Sequence, residues 1–303
     1  MSVKETSAGE LHTKRSAPKG LTPDEMLARV LYRDGLMLVV DKPAGLSVHR
    51  GPKGGASLED FFDALRYGLP RPPALAHRLD KETSGCLVLG RHRKALAHLG
   101  LLFKHRKVGK TYWAVVEGSP QAEEGTIDIP LGRLDETRGW WMKPDPKGLP
   151  SVTTWKVLGR APFPSPRRGE GGERSEPGEG RSDFQLQPPR APHPDPVPCG
   201  ERETNRRAPS EDKTLTWLAL EPITGRTHQL RVHCAAMGWP IVGDDIYGTA
   251  ARFVGPILHL HAREVVVPIS KNKPPVRVVA PVPPHMRERL MMCGWKGEEA
   301  SSE

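Results

Sequence analysis

Two segments of this 303-residue chain are polar where packing favours apolar side chains: HRLDKETSG, His77 to Gly85, and TGRTHQLRVH, Thr224 to His233. The first sets the carboxylate of Asp80 between Arg78 and Lys81, with Glu82 just beyond, in a turn that ends at a glycine. The second gathers Arg226, His228, Arg231 and His233, and its pattern predicts the first turns of a helix ending at Gly238. An acid flanked by bases on both sides is favoured in its charged form. An ionised, oriented carboxylate serves as a nucleophile or a clamp rather than as a proton donor. A hydrolytic glycosidase needs a second carboxylate about 5 to 10 Å away, and no partner motif offers one. The spacing of His228 and His233 does not fit one helix face, so His259 and His261 lack partners for a metal site and none is expected. GPKGGAS, Gly51 to Ser57, lacks the Lys-Ser/Thr ending of a phosphate loop.

These segments need elements to hold them. LTPDEMLARVL opens the fold, with Thr22 as cap, Pro23 at the first helical position and Glu25 closing a capping box. LMLVV, Leu36 to Val40, reads as a buried strand, followed by a tight turn and a short strand in DKPAGLSVH. Ser57 caps LEDFFDALRYG, expected as a short amphipathic helix stopped by Gly68. CLVLG, Cys86 to Gly90, reads as a second buried strand, with Cys86 as inert core. KALAHLGLLFK follows as a helix with Leu96, Leu99 and Phe103 on one face. In KTYWAVVEG alternation puts Tyr112, Ala114 and Val116 on one face and Thr111, Trp113 and Val115 on the other. Short strands are expected in TIDIPL, VTTWKVL, TLTWLAL, VGDDIYG and ILHLHAREVVV. Many strands broken by few helices predict an α+β domain on a long, mostly antiparallel mixed sheet.

Apolar residues make up 37% of the chain, against about 45 to 50% for globular proteins. The deficit is local. Residues 161–212 hold eleven Pro and six Gly, and eight Lys or Arg against ten Asp or Glu. Such a stretch cannot offset roughly 1 to 2 kcal/mol of backbone entropy per residue, so disorder is expected. VTTWKVL and TLTWLAL flank it as a hairpin with an enlarged loop, which costs only about 0.6 kcal/mol per doubling of length. The organisation expected is a tail over 1–21, a folded domain from 22–160 and 213–290, the insertion at 161–212, and a second tail over 291–303. The insertion lowers rather than supplies the net charge of +9, so the basic surplus belongs to the part that folds and favours a polyanionic partner. Lys104, Arg106, Lys107 and Lys110 form a chain-neighbouring basic set. No apolar run approaches the roughly 18 residues of a membrane span, and the start lacks a signal-peptide core. Four scattered cysteines with no CxxC pair fit a reducing cytoplasm.

HRLDKETSG, KTYWAVVEG, TGRTHQLRVHCAAMGWPIVGDDIYG and LHLHA, in that order after VLYRDGLMLVVDKPAGLSVHRG, resemble an RluA-type RNA pseudouridine synthase over roughly residues 28–160 and 213–285. The resemblance implies the pseudouridine synthase core, a long mixed sheet with a central RNA-binding cleft. It implies isomerisation of a uridine in structured RNA, transfer or ribosomal, with no cofactor and no metal: the base leaves its ribose and reattaches through carbon. Asp80 matches the catalytic carboxylate, whether it attacks the sugar, attacks the ring or acts electrostatically. Arg231 matches the arginine that pairs with that carboxylate. Tyr112 matches the active-site tyrosine, able to stack on uracil and lend its hydroxyl to proton transfer. Leu260 matches an apolar residue packed beneath the tyrosine. Arg78 resembles the arginine that enters the stack vacated by an extruded base. Phosphates would meet Lys104, Arg106, Lys107 and Lys110, with Arg226 and His228 as further RNA contacts. The insertion is not part of the family pattern. A catalytically silent RNA-binding or ribosome-assembly protein on the same fold is the competing function, and monomeric action needs no extra assumption.

Overall fold

The computed structural model describes residues 21–51, 54–135, 140–162, 214–250, 255–270 and 272–298. The expected N-terminal tail up to residue 20 and the expected insertion beyond Pro162 lie outside the described residues; Ala161 and Pro162, placed in that insertion by the sequence, instead end a strand, with Ala161 buried. Helix α1, Pro23–Leu27, begins as its sequence demands: Thr22 Oγ1 accepts from the Glu25 N–H at 3.2 Å, and the Glu25 carboxylate accepts from the Thr22 N–H at 2.7 Å. Strands β1, Val30–Arg33, and β2, Met37–Lys42, follow, then two 3-10 turns, Leu58–Phe61 and Ala64–Arg66. Next come β3, Ala74–Leu75, β4, Ser84–Gly90, helix α2, Arg93–Lys104, and β5, Gly109–Glu117. The second half adds β6, Glu124–Asp128, β7, Leu131–Arg133, β8, Met142–Pro144, β9, Val152–Pro162, and β10, Thr214–Pro222. Helix α3, Gln229–Ala236, β11, Leu260–Val267, β12, Val276–Val279, and α4, Pro284–Met292, complete it.

Ten strands form one sheet in the order β1-β2-β4-β11-β5-β10-β9-β6, with β3 on β4 and β12 on β11; β7 and β8 pair apart from it. Every pairing in the sheet is antiparallel except the central one, where β4 and β11 run parallel over His261↔Ser84 and Ala262↔Gly85. Gly85, at φ +102, permits that approach, because a Cβ there would collide with the Ala262 carbonyl. Ser84 Oγ and His261 Nδ1 fasten the same seam at 2.9 Å.

The period-two reading of β5 holds. Tyr112, Ala114 and Val116 enter one core with Leu87, Leu218 and Leu260, while Val115 joins a second core with Leu215, Met286 and Leu290, against which Trp113 packs. Enclosing apolar side chains on both sheet faces is the main stabilising term.

Four expectations are corrected. LEDFFDALRYG is not an α-helix: i→i+3 bonds such as Asp60 N–H to Ser57 O and Leu65 N–H to Phe62 O make two 3-10 turns, closed by left-handed Tyr67. Leu58, Phe62 and Leu65 still reach the core; the segment is below the roughly 12 residues at which helices sustain themselves. VGDDIYG is a turn rather than a strand, since Asp244 Oδ1 accepts from the N–H groups of Ile246 and Tyr247, each at 3.0 Å. After DKPAG there is only an isolated bridge, Ser47↔Ser57. Residues 291–298 are not a tail: Cys293 and Trp295 are buried in the second core, and the Glu298 carboxylate accepts from Arg263 and from the Val282 N–H. The start signal for α4, Pro283 before Pro284, was readable in the sequence.

His259 and His261 lie 1% exposed in the sheet, and burial lowers both pKa values to about 3. Their folded pKa is below the unfolded 6.5, so unfolding takes up protons and stability falls as pH drops from 6.5 toward 3. Between about pH 7.5 and pH 5, wild type should lose about 2 kcal/mol more than His261→Gln in urea titrations. Equal losses would show that His261 is not held neutral.

Candidate functional site

The loop between β3 and β4 carries Asp80, and three anchors set its course. His77 stacks on Phe103 with ring centroids 4.5 Å apart, and its Nε2 accepts from the Val88 N–H at 3.1 Å. The Thr83 N–H donates to the Asp80 carbonyl at 3.2 Å, closing the turn that feeds β4. The third anchor is Lys42. Its side chain is 0% exposed, and its Nζ donates to the carbonyls of Pro43, Leu46 and Lys81 at 2.9, 2.8 and 2.9 Å. One ammonium therefore ties the turn after β2 to the residue beside Asp80. Burial pulls its pKa down to about 7, opposed by the charges of Glu82, Asp80 and Asp41.

Opposite this loop, Thr224 to His228 cross the cleft floor before α3. Gln229 is the pin. Its Oε1 accepts from Thr224 Oγ1 at 2.6 Å and the Arg226 N–H at 3.0 Å, and its Nε2 donates to the Val152 carbonyl at 2.9 Å and Thr153 Oγ1 at 3.0 Å. A buried amide so satisfied leaves its loop one conformation. His233 lies deeper, between Thr153 Oγ1 at 2.9 Å and the Ile129 carbonyl at 3.1 Å. Arg226 and His228 are not in the first helical turns, as their sequence suggested: His228 is the N-cap of α3 at φ 52, and Arg226 lies before it with Nε 3.2 Å from the Pro150 carbonyl.

One cleft of about 1230 Å³ brings the sequence candidates together: Asp80, Tyr112, Arg231 and Leu260, with Arg78, Lys104, Arg106, Lys107, Lys110, Arg226 and His228. Register explains the apolar wall: Leu260 faces Ala114 and Ala262 faces Tyr112, so Leu260 and Tyr112 share a sheet face. Burial, then the charge of Asp80, raises the Tyr112 pKa, so its phenol keeps its proton. Arg78 is exposed at the mouth. Lys104, Arg106 and Lys107 form an exposed rim where α2 ends. The Lys107 N–H donates to the Leu102 carbonyl at 2.9 Å and the Arg106 N–H to that of Phe103 at 3.1 Å, with Arg106 left-handed at φ 58. Glycine usually occupies such a position.

Arg231 does not pair with Asp80, which corrects the expectation. Its Nε and Nη2 grip the two Asp244 oxygens at 2.8 and 2.7 Å, with both side chains almost fully buried. Among the described residues, the ion-pair distance to Asp80 belongs to His228, whose Nε2 lies 3.9 Å from Oδ1. Arg231 still acts on Asp80 through space, and Asp244 and Asp80 both raise its pKa against burial. Motif reading missed Lys42, Asp244, Tyr247, Gln229 and Trp140. Trp140 is 55% exposed on the cleft wall with its ring edge-on to His228; Lys42, Gln229, Asp244 and Tyr247 stand inside the quoted motifs, where local pattern does not mark their roles.

Lys42→Met should cost about 2 kcal/mol by leaving buried carbonyls without donors. Wild-type stability should rise with pH from about 7 toward 10.5, because the unfolded chain holds the Lys42 proton longer; the variant should lack that rise. Thermal melts at about pH 7 and pH 9 measure both.

The family profile described as RNA pseudouridylate synthase matches residues 36–236. An uncharacterised RNA pseudouridine synthase of Zymomonas mobilis is 34% identical over 259 residues, 84% of this chain and 94% of that protein. Ribosomal large subunit pseudouridine synthase C of Vibrio cholerae is 30% identical over 274 residues, covering 86% and 68%. Among solved structures, human RNA pseudouridylate synthase domain containing 1 superposes with TM-score 0.57 at 27% identity, over 84% of this chain and 83% of that one. Its human counterpart domain containing 4 gives TM-score 0.61 at 24% identity, over 89% and 95%.

Proposed function

The chain belongs to the RNA pseudouridylate synthase family, and on that premise we propose that it isomerises a specific uridine of structured transfer or ribosomal RNA with Asp80 as the catalytic carboxylate. The observation that carries this reading is the convergence of Asp80, Tyr112, Arg231 and Leu260, drawn from four separated segments, on one cleft with a basic rim. The isomerisation needs no atom added or removed, only a group that handles the detached base and a wall that keeps it in place. Asp80 takes the first role, attacking or stabilising. Tyr112 supplies a protonated phenol and a ring face for the uracil, backed by Leu260.

The target base must leave its stack, at a cost of a few kcal/mol. Arg78 fills the gap, its planar group replacing base contacts. Phosphates on either side meet Lys104, Arg106, Lys107 and Lys110, with Arg226 across the cleft. Trp140 offers an exposed ring on which a neighbouring base stacks. Among the described residues no helix is long and apolar enough to cross a membrane, and the buried thiols of Cys86, Cys234 and Cys293 suit the reducing cytoplasm.

Asp80→Asn should abolish pseudouridine formation while RNA affinity stays within about tenfold, since phosphate contacts dominate binding; mapping pseudouridines in cellular RNA with and without this gene names the target. Residual turnover removes Asp80 from the mechanism. Arg106→Gly separates fold from binding. Relief of a left-handed arginine should add about 1 kcal/mol of stability, while losing one phosphate contact weakens RNA binding and lowers the salt slope by about 0.7 to 0.9. Urea titration and filter binding at two salt concentrations read these opposite signs.

A further inference from the structure

A chain of polar atoms lies behind Asp80. The Met142 N–H donates to Tyr247 Oη at 2.9 Å, and Tyr247 Oη lies 2.9 Å from His228 Nδ1. A phenol carries one proton. With Met142 already donating to the oxygen, the phenol proton is free to go to Nδ1. The reverse arrangement would place two donors on one oxygen and leave the phenol proton without an acceptor among the described residues. Donation from the phenol makes Nδ1 the bare nitrogen and puts the imidazole proton on Nε2. Nε2 is the atom that faces Asp80 Oδ1 at 3.9 Å.

The ring has little freedom to turn elsewhere. Its backbone is left-handed at the start of α3, and it meets Trp140 and Tyr247 edge-on, with centroids 5.6 Å away in each case. Tyr247 is itself held: its N–H donates to Asp244 at 3.0 Å, and the Arg231 guanidinium lies 5.3 Å from its ring centre. The groups facing His228 are thus Asp80 from the β3–β4 loop, Arg231 on its own helix, Asp244 and Tyr247 from the turn after α3, and Trp140 from the β7–β8 hairpin. Burial lowers its pKa while Asp80 pulls it up, which fits a neutral ring with one directed donor. The role expected from sequence, a contact to RNA, fits this geometry poorly. Nδ1 is occupied, and a phosphate at Nε2 would sit against the Asp80 carboxylate.

We propose that His228 is a positioning residue for Asp80: Tyr247 fixes its tautomer, and Nε2–H closes on Oδ1 as the nucleotide enters, aiming the other carboxylate oxygen at the substrate. The distance is long for a hydrogen bond, as such contacts often are before substrate binds. This role rests on the reading of Asp80 given above.

The test uses the full chain and an RNA that wild type modifies, with single-turnover rate at saturating RNA, Kd and Tm measured for Tyr247→Phe, His228→Ala, His228→Gln and Asp80→Asn. Tyr247→Phe and His228→Ala should slow turnover roughly 10- to 100-fold, the scale of a misaligned reacting group, with Kd within about twofold. His228→Gln, whose amide N–H reaches the place of Nε2–H, should recover part of the loss, and its Tm should match that of His228→Ala. Nitrogen NMR of the ring should show Nε2 protonated in wild type and a tautomer mixture in Tyr247→Phe. Wild-type turnover by Tyr247→Phe, loss of affinity at unchanged rate in His228→Ala, or equal rates for the Gln and Ala variants would each overturn the role of His228. Turnover by Asp80→Asn would instead overturn the reading of the site itself.

Discussion

The parallel seam between β4 and β11 is the constraint on which the remainder of the molecule depends. On one side lie β1, β2 and β4, on the other β11, β5, β10, β9 and β6, each set antiparallel within itself. The two are joined along only two paired positions, Ser84 with His261 and Gly85 with Ala262. Asp80 stands just before the first strand of the seam, Leu260 starts the second, and Tyr112 is opposite Ala262 on the next strand over. Strands are spaced about 4.8 Å apart, and a one-residue slip turns every side chain to the other face. The missing side chain of Gly85 and the Ser84–His261 bond therefore set where the carboxylate stands relative to the phenol.

Charge is distributed so that, among the described residues, no guanidinium grips that carboxylate and only His228 stands at ion-pair distance. A guanidinium clamped on Asp80 would occupy both of its oxygens, since bidentate pairs are strong and directional. Instead Arg231 spends its donors on Asp244 and offers Asp80 only its field. The same Asp244 oxygen that accepts from Arg231 also accepts from the N–H groups of Ile246 and Tyr247. One buried acid thus shapes the turn that brings Tyr247 to His228. On the other wall, Lys42 bridges the turn after β2 and the loop that carries Asp80 with its ammonium.

What was legible in the sequence was whatever follows from local periodicity. The alternation in KTYWAVVEG sorted Tyr112 from Trp113 correctly because side chains on a strand change face at each residue. The capping box at Thr22 and Glu25 is equally local. Misreadings arose where a distant partner decides. His228 falls on a helical pattern, but Gln229, pinned to Val152 and Thr153, holds the preceding loop on β9 and starts the helix one residue later. The resemblance matched Arg231 to an arginine paired with the carboxylate at Asp80, and it is Asp244, thirteen residues along and folded into a turn, that takes its donors instead. Lys42 ends an apolar strand, where a lysine reads as the exit to solvent. Its burial becomes evident only once Lys81 and Leu46 have been brought beside it.

The β9–β10 ladder is paired to its last residue, Thr214 opposite Pro162. Backbones so paired stand about 5 Å apart, so departing and returning stems emerge side by side at one edge of the scaffold. Splicing a reporter, a purification handle or an additional recognition module between them asks only that the guest's own ends be close.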